Sequence, residues 1–453
     1  MKLLVEKSGY IIFQNIDNDK ILYEKLFSTF HNATSEYIDP IIRTLNKIDA
    51  SVTFHGKSFE EFERSSIDSL ILNITENCNN RCSYCAYSGL YLSERNHSES
   101  RMNYDIAEKA IDYYLINMSQ NGSVGFYGGE PLLEGNLLKK IVPSIKMKTK
   151  NRNIEFAITT NFTQAGFFID FFAEHNIILT ISLDGPSHIH DKWRKNIYGE
   201  GTFNKIYNNI LELSSRYPDY YKKNVAFNVV VTNPNNLIEI DHFFSQPLFE
   251  GNSISVQSLD RHLLQPNPLK ELNNIELGPN QIEILAKKYI KNIISKRNNS
   301  GFLRGLFDKQ IAQLYRRSET ALPNSIDTIS MCKPGMRRLF VESDGKYRPC
   351  EKIGKRLCLG NTNIGLDRIK SFSYYNEFVS FKNAICKKCW AVRLCDACAV
   401  TARSRFGVSA KSLKNSCQEL KKNILMNLSI YSSIIKNDEQ KNYCEYFDVI
   451  KIS

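Results

Sequence analysis

A chain of 453 residues is too long for one ordinary core, and its 42% hydrophobic, 24% charged composition is that of a globular protein. The formal net charge of +11 comes from Lys and Arg scattered among Asn, Ser and Ile rather than gathered in one block, which argues against nucleic acid as a partner. No apolar run approaches the ~18 residues of a membrane span, and the start, Met1-Lys-Leu-Leu-Val-Glu-Lys, lacks the features of a signal peptide, so a cytoplasmic protein with no membrane partner is expected.

The first 67 residues read as a slightly acidic block, a small α+β domain. Within it Leu3–Val5 and Tyr10–Phe13 predict strands, and Ile21–Leu26 and Tyr37–Ile48 predict helices. From Ser69 a regular alternation begins. Strand-like runs at Leu70–Thr75, Val124–Tyr127, Ile154–Thr160, Ile177–Leu183, Val225–Thr232 and Ile254–Leu259 are separated by helical patterns. The first of these patterns carries Ile106, Ala110, Tyr114 and Met118 at i, i+4 spacing; others cover 136–148, 165–175, 203–215 and 279–297. Six units with buried-looking strands predict an α/β fold, a partial (β/α)6 barrel with parallel strands and right-handed crossovers over residues 68–325. A cysteine-rich domain follows over 326–420, in which Leu339–Tyr347 predicts a hairpin turning at Asp344-Gly345. Ser416–Tyr431 predicts a closing helix, and 421–453 completes a C-terminal helix and tail.

Twelve cysteines in a compartment that keeps thiols reduced point to metal ligation rather than disulfides. The run Cys78-Asn-Asn-Arg-Cys82-Ser-Tyr84-Cys85 lies directly after the first strand. Three thiolates on one loop can hold three corners of a [4Fe-4S] cluster and leave the fourth iron without a protein ligand. A zinc loop is the plain alternative, but zinc wants four ligands in two pairs and no further His or Cys follows nearby. Gly128-Gly129-Glu130 ends the second strand, where a Gly-Gly pair alone marks only a tight turn. Asn161 ends the third strand and Ser182-Leu-Asp184-Gly185 the fourth, both readable as ordinary caps. Downstream come Cys332-x12-Gly345-x4-Cys350, then Cys386-x2-Cys389-x5-Cys395-x2-Cys398, then Cys417. A zinc ribbon would separate its pairs by about 15–20 residues. His97, His188 and His190 read as surface or capping residues, and Cys444 as a free thiol.

The Cys78/Cys82/Cys85 loop, with Tyr84 before its last cysteine, resembles the signature of radical S-adenosylmethionine (SAM) enzymes. The resemblance implies that SAM chelates the open iron and yields a radical that takes hydrogen from an unactivated C–H bond. It also implies SAM-binding roles for Tyr84, Gly128, Gly129 and Glu130, contacts from Asn161 and Ser182 to the ribose and carboxylate, and a carboxylate-pairing role for Arg194. No catalytic residue beyond the cluster is assigned.

The later cysteines resemble the SPASM domain, with two auxiliary [4Fe-4S] clusters, which makes three clusters in all. By that resemblance Cys386, Cys389, Cys395 and Cys417 hold the distal cluster, and Cys332, Cys350 and Cys398 the proximal one. The chain has two residues between Cys395 and Cys398 where the family usually has three, and no cysteine between Cys85 and Cys332. Either Cys358 completes the proximal set, or that iron is open and could take a substrate thiolate.

The segment Cys85 to Ser98, with Met102, resembles maturases of ribosomally made, cysteine-rich peptides. The implied activity is thioether formation in a cysteine-containing precursor peptide, with flavodoxin or ferredoxin as electron donor. Residues 1–67 are then either a module that recognises a leader peptide as an added strand, or a cap on the barrel. Two alternatives stay open. One is an anaerobic sulfatase-maturating type making formylglycine, with Asp260 past the sixth strand as candidate base. The other is a non-catalytic cysteine-rich metal-binding protein.

Overall fold

The computed structural model describes residues 1–34, 38–89, 95–149, 152–258, 280–327, 335, 337–404, 407–439 and 441–450. The chain opens as an antiparallel meander of β1 (Lys2–Glu6), β2 (Tyr10–Gln14), β3 (Lys20–Glu24) and β4 (Thr29–Asn32), in that spatial order. Ile11, Phe13 and Tyr23 join the main core, while Tyr10 and Leu22 pack with Ile38 and Leu45 of the helix Ile38–Lys47. The run Ile21–Leu26 is therefore not helical. Six residues are too few for apolar spacing to separate helix from strand, and pairing with β2 on one side and β4 on the other decides it. β5 (Thr53–His55) follows the meander.

The next six strands are β6 (Ile67–Thr75), β7 (Met118–Gly128), β8 (Asn153–Thr160), β9 (Ile178–Ser182), β10 (Val225–Val231) and β11 (Ser253–Ser258). Each is parallel to the next, and each falls where the apolar runs predict. Helices Tyr104–Asn117, Gly135–Lys148 and Phe203–Arg216 lie in the connections, the first capped by Asn103, whose Oδ1 accepts from the Ile106 N–H at 2.8 Å.

The two faces of this sheet differ in kind. Leu70, Leu72, Val124, Phe126, Phe156, Ile158, Leu179, Ile181, Phe227 and Val229 are buried in the main core. The alternate positions mix Ile71, Tyr127 and Val230 with small or polar side chains, most of them half-buried, among them Gly125, Ala157, Thr159, Thr180, Ser182, Ala226 and Asn228. A parallel sheet packed on both faces would read as continuous aliphatic runs. The cysteine loop sits at the C-terminal edge of this second face.

Beyond the six units, β12 (Ser325–Asp327) pairs in parallel with β5, which ties the N-terminal block to the rest. β13 (Arg338–Val341) adds in parallel to β6, and β14 (Tyr347–Arg348) returns antiparallel through the expected turn, with Gly345 at φ +82°. The sheet thus runs β11-β10-β9-β8-β7-β6-β13-β14. The closing helix starts earlier and ends later than predicted, Ala410–Asn437. Among the described residues, no helix is long and apolar enough to cross a membrane.

Candidate active site

β6 ends at Thr75, and the loop after it carries the first three cysteines. The segment Trp193–Ile197 holds this loop in place. Ser83 N–H donates to the Trp193 carbonyl at 2.9 Å, Arg81 N–H to that of Lys195 at 2.7 Å, and Ile197 N–H to that of Asn79 at 3.1 Å. Cys78 Sγ accepts from the Asn80 N–H at 3.3 Å and from Asn161 Nδ2 at 3.7 Å; Cys85 Sγ accepts from the Tyr87 N–H at 3.3 Å. Burial raises all three thiols, Cys85 to about 12, with the neighbouring cysteines adding to the effect on Cys78 and Cys85. A cation that drives off these protons would find three soft donors on one loop.

Gly128 and Gly129 are required by backbone crowding. A Cβ on Gly129 would stand 2.2 Å from the Asn77 carbonyl oxygen, and one on Gly128 2.2 Å from that of Thr75. The close approach lets Gly129 N–H donate to Thr75 and Glu130 N–H to Asn77, at 2.8 and 2.9 Å, so the end of β7 clamps the start of the cysteine loop. Glu130 is fully buried, and burial pushes its carboxyl up to about 7. Its two oxygens accept from Leu132 N–H (3.0 Å), Thr160 Oγ1 (2.6 Å) and Asn161 N–H (2.7 Å). Glu130 thereby fixes Asn161, whose amide also donates to Asn79 Oδ1 at 2.9 Å.

Arg194 does not stand free. Nε and Nη2 donate to Asp184 Oδ2 and Oδ1 at 2.9 and 3.2 Å, and Nη1 faces Cys82 Sγ at 3.9 Å. Tyr84 donates its hydroxyl to the same carboxylate and lies under the guanidinium, 5.3 Å from ring centroid to Cζ. Asp184, Arg194 and Tyr84 are all buried. Ser182 ends β9 half-buried, in register with Asn228 of β10.

A model of the Radical SAM superfamily matches residues 72–245, the stretch that carries all of this geometry. An uncharacterized protein of Methanocaldococcus jannaschii is 31% identical over 318 residues, 68% of this chain and 96% of that one. The chain belongs to the radical SAM superfamily. A cysteine-type anaerobic sulfatase-maturating enzyme of Clostridium novyi is 29% identical over 348 residues, 73% of this chain and 87% of that protein. The solved structure of anSMEcpe with bound AdoMet shares the fold, with a TM-score of 0.62 and 21% identity over 84% of this chain and 97% of that one. The expectation of a thioether-forming maturase is corrected by these comparisons, because three relatives matching over 73–78% of the chain are cysteine-type sulfatase-maturating enzymes. The segment from Cys85 to Ser98 that suggested it is short, and residues 90–94 lie outside the described residues.

The superfamily's SAM and cluster fit the residues present. Asn80, in the loop between Cys78 and Cys82, is buried, yet neither end of its amide has a hydrogen-bond partner among the described residues. A buried amide left so is costly unless a further polar group belongs beside it. The downstream cysteines carry the same mark. Cys386, Cys389, Cys395 and Cys417 line one cavity, and the neighbouring Trp390 has a buried Nε1 without a partner among the described residues. Cys350 lies near Cys398, and Tyr374 beside both has a buried, unpartnered hydroxyl. Cys358 turns its S–H to the Gly360 carbonyl at 3.1 Å, and Cys332 lies outside the described residues. Among the described residues no three His, Cys, Asp or Glu side chains converge on one metal ion; a cubane gives each thiolate an iron of its own and does not need such convergence.

Sequence reasoning missed Asp184 as the partner of Arg194, although it stands in the quoted strand end. It also missed the buried pair Arg95–Glu342, 3.0 Å apart, with Asn73 donating to Glu342 at 2.8 Å and Arg95 to the Ile353 carbonyl at 3.2 Å. That pair links β6 to the segment after β13 across more than half the chain, and no local pattern marks it.

Proposed function

We propose that the protein is an anaerobic sulfatase-maturating-type enzyme that oxidises a cysteine, or a serine, of a protein substrate to formylglycine. The observation that carries this reading is the alignment to cysteine-type sulfatase-maturating enzymes over 73% of this chain and 87% of the relative's length. When bound, SAM and the cluster of Cys78, Cys82 and Cys85 supply a carbon-centred radical able to remove a hydrogen atom from the substrate's β carbon. The chain's part is placement. Gly128, Gly129 and Glu130 fix the loop and Asn161, and the second face of the partial (β/α)6 barrel, with Ser182 and Asn228, is the proposed seat of SAM.

Formylglycine formation from cysteine also removes the thiol proton and one further electron, then adds water and releases hydrogen sulfide. Asp260 is the proposed base for the proton; it follows Ser258, the end of β11, by two residues in sequence and lies outside the described residues. The further electron is proposed to leave through two auxiliary clusters, distal on Cys386, Cys389, Cys395 and Cys417, and proximal on Cys332, Cys350 and Cys398. Flavodoxin or ferredoxin is the proposed donor to the first cluster.

The test is anaerobic incubation of the reconstituted, reduced protein with SAM and a sulfatase peptide holding the target cysteine. The expected product has lost sulfur and carries an aldehyde that traps a hydrazine, with 5′-deoxyadenosine formed alongside. A peptide that keeps its sulfur while 5′-deoxyadenosine accumulates would refute the reading. Asp260→Asn is expected to lose product formation while retaining bound iron.

A further inference from the structure

Several contacts of residues 1–67 gather at the four-cysteine cavity. Lys25, fully buried on the meander, donates from Nζ to the carbonyl of Ala50 and to that of Cys389 at 3.4 Å. Val52 N–H donates to the Lys387 carbonyl at 3.0 Å. Phe54 of β5 lines the cavity itself, and its backbone exchanges two hydrogen bonds with the Asn383 amide, at 2.6 and 2.8 Å. From the other side Arg393 reaches back to the carbonyls of Lys25 and Leu26, at 3.4 and 3.0 Å.

The charged side chains that line the cavity are lysines, one of which, Lys421, is paired with Glu6 of β1. Lys382 and Lys421 line it with the cysteines, and Lys382 Nζ sits 4.7 Å over the Phe54 ring. Lys25 stands behind Cys389. No carboxylate is among the described lining residues. A buried ammonium in an apolar wall is costly unless an anion stands close, and a cluster held by four thiolates is such an anion.

We propose that residues 1–67 form a wall of the distal auxiliary-cluster chamber, with Lys25 and Phe54 closing it against water and Lys25 balancing, with Lys382, the charge of a four-thiolate cluster. This rests on the reading that Cys386, Cys389, Cys395 and Cys417 hold a cluster; it does not depend on which residue the enzyme oxidises. Positive charge beside a cluster favours its more reduced state, and exclusion of water strengthens that effect. The block thus sets the potential of the electron outlet.

The test uses full-length protein in a Cys78→Ala, Cys82→Ala, Cys85→Ala background, so that only auxiliary clusters contribute to iron content and electron paramagnetic resonance. Lys25→Gln and Lys382→Gln are each expected to move the distal midpoint potential to more negative values, and Lys25→Arg to restore it. Phe54→Ala is expected to speed loss of distal iron in air. Affinity for the substrate peptide, measured with all cysteines intact, should stay unchanged in Lys25→Gln. An unchanged potential and unchanged air stability, with weakened peptide binding, would overturn the proposal in favour of peptide recognition by the block. If Cys386→Ala loses no iron, the cluster beneath the proposal is absent and it fails on that ground; the formylglycine reading is judged separately by its product.

Discussion

Arg194 and Asp184 form a two-point ion pair sealed from solvent, 2.9 Å from Nε to Oδ2 and 3.2 Å from Nη2 to Oδ1, with the remaining Nη1 turned to the sulfur of Cys82. Val230 N–H of β10 also donates to Asp184 at 3.0 Å, so one carboxylate joins two strand ends to the cysteine loop. Arg194 acts on the loop through this pair. Asp184→Asn would strand a guanidinium without its counter-charge, a change that costs about 3–5 kcal/mol in buried pairs. Urea denaturation should show a loss of that order, and anaerobic reconstitution should incorporate less iron at the first cluster. Arg194→Lys keeps the charge but not the fork, and should fall between the two.

Gly129→Ala tests the clamp between β7 and the cysteine loop. Its new methyl would meet the Asn77 carbonyl oxygen at 2.2 Å, an atom of backbone that cannot swing aside. The loop must move, and a structural loss of several kcal/mol is expected. Ala at the neighbouring Gly125, where the nearest atom would be an Ile71 side-chain carbon at 3.5 Å, serves as the control and should be tolerated. Comparing iron content and thermal midpoint of the two variants checks the claim.

His190 contributes a pH dependence of known sign. It is buried, with Nδ1 accepting from the Asp184 N–H at 3.3 Å and Nε2 beside Thr202 Oγ1 at 3.1 Å, and burial lowers its pKa to about 4. An unfolded chain takes up this proton near pH 6.5 and the folded one only near 4, so between those values the unfolded state binds more protons. Folding stability should therefore fall as pH drops through that window, by up to about 3 kcal/mol from this group. His190→Gln should flatten the slope. Equal slopes in both proteins across the window would contradict the assignment.

Tyr374→Phe separates the metal-free from the loaded protein. Its buried hydroxyl lacks a partner among the described residues, so its removal should leave the metal-free protein as stable as before, or more so. In a protein loaded as proposed, the same change removes a donor beside Cys350 and Cys398, and the resonance spectrum of the proposed proximal cluster should change. A spectrum identical to that of the parent would show that the hydroxyl does not face the cluster.

The apolar runs located the six strands from β6 to β11 because each buries one row of apolar side chains against helices, and that row dominates the local sequence. The ladder from β6 to β11 was legible for the same reason. Ile21–Leu26 was not, since its strand character comes from β2 and β4 and not from its own six residues. Cys78, Cys82 and Cys85 could be read because their spacing is chemistry in itself. The partners that fix them could not: Asp184 meets Arg194 only because the helix Ser187–Trp193 turns the chain back, and Asn79 meets Asn161 and Thr163 across more than 80 residues. β13 read as half of a hairpin, which it is; that it also extends the main sheet beside β6 depends on long-range packing.

That last pairing has a consequence for how the chain is made. β6 leads into the first cysteine loop, yet one of its edges stays bare until Arg338–Val341 has been synthesised, about 270 residues after Ser69. At ribosomal speeds of about 5–20 residues per second, the wait is tens of seconds. Throughout it the nascent chain presents an unpaired parallel edge beside reduced thiols, a hazard for aggregation and premature oxidation. Completion of the β6 edge and arrival of the cysteines from Cys350 onward occur close together in synthesis, so the protein is poised to receive its metal late, as a nearly finished chain.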